Sequence, residues 1–83
     1  MDPDATLKEL LEAVVAGDCD RVNELADGLK SWLSQGGFPP KTIGPWKLGQ
    51  VWHVAMTHAI VKHARTHVRV VARQQQEAAD AAP

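Results

Sequence analysis

The chain has no tyrosine, one phenylalanine and one cysteine among its 83 residues. It also lacks any apolar run of the roughly 18 residues that a membrane-spanning helix needs. Each absence removes a class of protein. A lone thiol, Cys19, excludes an intrachain disulfide and fits a reducing compartment. The opening Met1-Asp2-Pro3-Asp4 is acidic where a secretory signal is basic, and no apolar core follows, so the expected location is the cytoplasm, with no membrane contact. There is no glycine-rich phosphate loop, no recognisable nucleophile motif and no pair of carboxylates in an identifiable pocket. The expectation is a protein that is not an enzyme and carries no cofactor.

What is present is helical periodicity. Asp2 can cap a first helix over residues 3–16, with Pro3 in the favoured first position and Asp4 near the positive end of the helix dipole. Leu7, Leu10, Leu11, Val14 and Val15 form its apolar stripe, and Gly17 can close it in the left-handed conformation. Asp18 can cap a second helix over 19–35, along which Val22, Leu25, Ala26, Leu29, Trp32 and Leu33 repeat at helical spacing. So short a link makes the two an antiparallel hairpin. Gly36-Gly37-Phe38-Pro39-Pro40 must break the second helix and open a semi-rigid linker over 36–44. Pro45 suits the first turn of a third helix over 45–76, and the alanine-rich tail at 77–83 has little to bury and is expected to fray. The fold class is all-α, in a single domain.

The third helix carries the most pattern. Val54, Thr57, Val61, Ala64, Val68 and Val71 follow one another at alternating spacings of three and four, a heptad-like seam that Gln75 continues. Its opposite side gathers His58, Lys62, Arg65, Arg69 and Arg73 into a basic stripe about 80° wide at about 100° per residue. At 1.5 Å per residue the first two helices measure about 21 and 25 Å and the third about 45 Å. The excess length, still bearing Val68, Val70 and Val71, calls for cover from a second subunit. A domain this small also gains from the extra burial. A homo-oligomer joined through the seam is therefore expected, with a protein partner as a further possibility.

Charge divides the chain. Residues 1–37 hold eight acids against three bases, and residues 38–83 hold six bases against two acids. Asp20, Glu24 and Asp27 lie on the second helix opposite Val22, Leu25 and Leu29, pointing away from the hairpin core. They and the basic stripe are expected to meet between chains rather than within one. Charge would then set orientation while apolar burial sets affinity. The alternative for the stripe is nucleic acid, as an accessory protein or small regulator, although no base-reading motif, zinc framework or aromatic platform accompanies it. Plain solvation is the bland reading.

Histidines and aromatics complete the inventory. His63 and His67 form an i, i+4 pair able to chelate a metal, but three or four ligands are needed and neither His53 nor His58 can join from the same helix. Packing at the edge of the seam is the expected role, with no metal. Trp32, Phe38, Trp46 and Trp52 all fall between positions 32 and 52. They are expected to form a satellite cluster that fixes how the third helix leaves the hairpin.

Residues 7–40, ending Ser31-Trp32-Leu33-Ser34-Gln35-Gly36-Gly37-Phe38-Pro39-Pro40, resemble a segment of short bacterial and phage-type proteins. In that group two acidic amphipathic helices run into a Trp-Leu…Gly-Gly-Phe-Pro-Pro end. The resemblance covers about 40% of the chain and implies a bacterial cytosolic source. The group has no assigned activity, so no site residue is carried over.

Overall fold

The computed structural model describes residues 1–44 and 47–81, with side chains through Gln76. The described residues form three helices and no strand: α1 over Pro3–Ala16, α2 over Cys19–Ser34 and α3 over Gln50–Ala81. The protein is elongated, 53 × 23 × 17 Å, because α3 is twice as long as either partner.

Local chemistry sets the helix ends of the hairpin. Asp2 Oδ1 accepts from the amides of Asp4 and Ala5 at 3.1 and 3.2 Å, and Pro3 has no amide to satisfy. Gly17, at φ 70°, closes α1 while the Asp18 amide donates back to the Ala13 carbonyl. Asp18 then turns its carboxylate to the Arg21 amide and starts α2 at once. The far end of α2 uses the same device: Gly36 takes φ 84° and the Gly37 amide donates to the Trp32 carbonyl at 2.9 Å.

The core is one layer between three helices. Leu7, Leu10 and Ala13 of α1 meet Val22, Leu25, Ala26 and Leu29 of α2, with Val61, Ala64 and Val68 of α3. The α2 helix runs antiparallel to α3: Cys19 at its start donates toward the Val68 carbonyl, and Lys30 near its end stands beside His58. Both α1 and α3 pack along α2 but touch each other sparsely. Thr57 is the one buried polar residue of the described core, and its hydroxyl donates to the His53 carbonyl at 2.7 Å, which removes the cost of burying it.

The seam expected to join subunits is therefore covered by the chain's own hairpin. Thr57, Val61, Ala64 and Val68 are all buried in the single chain, while Val54 and Val71 at its two ends are half-buried. The physical reason is proximity: the linker returns α3 onto the hairpin, and the apolar stripe of α2 is the nearest surface able to cover it. Beyond Val71 the helix does overhang, and residues 72–76 are exposed.

Two boundaries differ from the sequence expectation. Lys47, Leu48 and Gly49 are not helical, and α3 starts at Gln50. Gly49 sits at φ 85°, outside helical space, and its carbonyl accepts the first helical bond from the His53 amide. Pro45, expected in the first turn, lies outside the described residues. At the other end α3 runs past Gln76 to Ala81, in keeping with the high helix propensity of alanine.

The linker is fastened by polar contacts. Pro40 is fully buried. The Lys41 amide donates to Asp4 Oδ1 at 2.7 Å, and the Thr42 amide donates to His53 Nδ1 at 3.1 Å. Asp4 thus holds the linker to α1 and His53 holds it to α3. Trp32 and Phe38 do pair edge to face at 5.7 Å, and the indole N–H donates to the Phe38 carbonyl at 2.8 Å. Trp52 is 45% exposed and stays apart from them, because at about 100° per residue it lies on the opposite side of α3 from the buried Thr57 and Val61. Trp46 lies outside the described residues.

Trp32 lies flat over Gly37, where an added Cβ would overlap the indole ring. Gly37→Ala is expected to displace the indole and cost about 1–3 kcal/mol. Urea denaturation followed by tryptophan fluorescence reads it, and a wild-type midpoint would mean that the ring moves aside freely.

Candidate interaction surfaces

Two grooves flank α3, and their chemistry is opposite. The first lies between α1 and α3 and is lined by Leu11, Val14, Ala59, Ile60, His63 and Ala64, with a volume of about 470 Å³. It exists because the α1 stripe is wider than the face that α2 covers. Leu7 and Leu10 are buried, but Leu11 is 47% exposed and Val15 89% exposed. Leu11 and Val15, one turn apart, make a ridge beside the groove. A second patch of exposed apolar side chains, Val51 and Trp52, opens α3.

His63 and His67 stand on the α1 side of α3 with their rings roughly parallel, centroids 6.2 Å apart. His63 also lines the apolar groove. Among the described residues no cluster of three or more metal-ligating side chains forms around them or elsewhere.

The second groove lies between α2 and α3. Lys30, His58, Lys62, Arg65 and Arg69 line it, with Val61 at its floor and Thr66 at its edge, and its volume is about 340 Å³. It runs on past Arg65 and Arg69 into a second hollow bounded by Cys19, Asn23, Arg73 and Gln76, about 360 Å³. The basic stripe thus forms one wall of a trough, and Lys30 adds a cation from the other wall.

Arg65 behaves differently from the rest of the stripe. Its guanidinium pairs with Asp27 Oδ1 across the α2–α3 contact and reaches the Asn23 carbonyl at 3.5 Å. The acidic face and the basic stripe therefore do meet inside one chain, at this one described pair. The α2–α3 contact places the stripe edge of α3 beside the acidic edge of α2, within reach of a long arginine. The Arg65 side chain is 27% exposed, well below its partner at 71%. Its Nε is buried without a partner. Its Asp27 partner is largely solvated, so the pair contributes about 0–1 kcal/mol and orients the helices more than it stabilises them. Glu24 pairs instead with Arg21 at 3.1 Å on its own helix, and Arg21 also reaches Glu9 of α1 at 3.3 Å. Asp20 is exposed.

His53 and Lys30 are the two residues whose roles the sequence pattern concealed. His53 accepts a backbone amide from the linker, a partner eleven positions away that no periodicity reveals. Lys30 belongs to the acidic half of the chain and joins the basic wall only through the antiparallel pairing of α2 with α3.

No protein-family model matches the chain, and no curated protein or solved structure is significantly similar to it. What the surfaces do must be argued from their own chemistry. Among the described residues, no helix is long and apolar enough to cross a membrane.

Proposed function

We propose that this protein is a small helical interaction module that works in the bacterial cytoplasm by presenting surfaces, with no catalytic step and no cofactor. Its docking face is the groove between α1 and α3, and the occupant is a second copy of the chain. The observation that carries the reading is the apolar groove of Leu11, Val14, Ala59, Ile60, His63 and Ala64, left open beside the Leu11–Val15 ridge.

A second copy suits this face because a two-fold interface must be complementary to itself. Here one surface carries both a ridge of two branched aliphatic side chains and a hollow that can receive such a ridge, the arrangement by which helices interlock. Hydrophobic burial would supply the affinity, at about 25 cal/mol per Å² before the entropy of association is subtracted. The need is also real: a domain of this size has a single thin core and gains stability from association.

Leu11→Asp combined with Val15→Asp tests the reading. Both side chains are exposed in the single chain, so helicity should be unchanged while the charges disfavour burial against a partner. Light scattering on wild type at high micromolar concentration should give twice the 9.0 kDa of one chain, and the double variant should give the single-chain mass. A monomeric wild type, or a variant that still dimerises, would contradict it.

A further inference from the structure

We propose that the trough between α2 and α3 binds the phosphodiester backbone of a nucleic acid without reading its sequence. The site is separate from the apolar groove, on the other flank of α3, and either can fail without the other.

The argument begins with what lines the trough. Lys30, Lys62 and Arg69 are exposed cations from two helices that converge on one hollow, with His58 at its end. No carboxylate is among the residues that line it. Asp27, the nearest acid on α2 in this pairing, is already engaged by Arg65. Among the described residues, Lys30, Lys62 and Arg69 make no ion pair. The Arg65–Asp27 pair therefore braces the trough and leaves the cations on either side of it directed outward.

Spacing is the second strand. Along α3 the basic side chains of His58, Lys62, Arg65, Arg69 and Arg73 recur every three or four residues, a rise of about 4.5–6 Å each. The result is a line of positive charge along the trough rather than a point cluster. A linear polyanion can follow such a line, exchanging condensed counterions for fixed cations as it does so.

A protein partner fits this flank less well. Protein interfaces are depleted of charge at the centre and anchored by aromatic or large apolar side chains. The trough has no phenylalanine or tryptophan ring, and its apolar floor is Val61, already buried in the core. The hydroxyl of Thr66 is spent on the Lys62 carbonyl at 3.1 Å, so little remains for reading base edges. Phosphate contacts alone, which carry no sequence information, are what this surface offers.

The experiment is fluorescence anisotropy of the full chain with a labelled oligothymidine strand and, separately, a labelled mixed-sequence duplex, titrated over a salt series. With three cations neutralising three phosphates, log K should fall against log salt with slopes of about −2.1 for the strand and about −2.7 for the duplex. Lys30→Gln, Lys62→Gln and Arg69→Gln together should flatten both slopes and weaken binding at low salt by about tenfold or more. Arg65 is left intact because its pair braces the helices. Far-UV circular dichroism checks the triple variant, and the Lys30→Gln, Lys62→Gln double variant replaces it if helicity is lost. Binding of at least one probe with the expected loss in the variant supports the proposal. It is overturned by no anisotropy change with either probe at low salt, or by a folded variant that binds as wild type does. Tighter binding of polyglutamate or of anionic lipid vesicles than of either probe would also overturn it.

Discussion

Val68→Asp is expected to unfold the protein rather than merely separate subunits. Val68 is 4% exposed in the single chain, beneath the start of α2, with its carbonyl facing Cys19. A carboxylate there would lose most of its hydration and the packing of a buried valine, which Arg65, Arg69 and Arg73, lining the same hollow, would offset only in part, at a cost of about 4 kcal/mol. That is most of the stability a small domain has. Far-UV circular dichroism should show lost helicity, or thermal denaturation should show a transition without cooperativity. Had the seam served only to join subunits, the same substitution would give a folded chain of single mass. A variant with wild-type helicity and melting would mean that α3 does not pack on the hairpin as described.

Leu10→Ala should cost about 3–4 kcal/mol, whereas Leu11→Ala, one position further, should cost a single chain well under 1 kcal/mol. The two leucines are neighbours in sequence and were equal members of the apolar stripe. Leu10 is fully buried, and its truncation leaves a cavity in the layer shared by three helices. Leu11 is nearly half exposed, so little cover is lost there. Urea denaturation at low protein concentration separates the two, since dilution removes any contribution from association. Equal losses would place Leu11 in the core and close the groove it lines.

That contrast also explains what was legible beforehand. The ends of α1 and the start of α2 could be read because caps are local: Asp2, Pro3, Gly17 and Asp18 act on amides and carbonyls within a few residues. The all-α class followed from periodicity that long-range contacts did not need to rescue. The start of α3 was harder. Pro45 suggests an earlier start, whereas Gly49 takes a φ of 85°, outside helical space, and α3 begins only at Gln50.

The surfaces were half legible. The seam and the stripe lie on two faces of one helix, and periodicity says which residues share a face but not what covers it. The hairpin covers the seam because the linker brings it there, held by Asp4 on Lys41 and His53 on Thr42, and such contacts across 37 and 11 positions leave no trace in spacing. One signal of the open groove does lie in the sequence. The stripe of Leu7, Leu10, Leu11, Val14 and Val15 spans about 140° of α1 at about 100° per residue, wider than one neighbouring helix can cover. Its outer edge, Leu11 and Val15, is the part that stays exposed.

The central claim is that α3 spends its seam on its own hairpin and leaves the groove beside α1 for a second chain. Isotope-filtered NOE spectroscopy on an equal mixture of labelled and unlabelled protein addresses it directly, because only contacts between chains survive the filter. The account predicts intermolecular NOEs at the methyl groups of Leu11, Val15 and Ile60, with those of Val61 and Val68 seeing only their own chain. Intermolecular NOEs at Val61 and Val68, or none at any of the five, would contradict it.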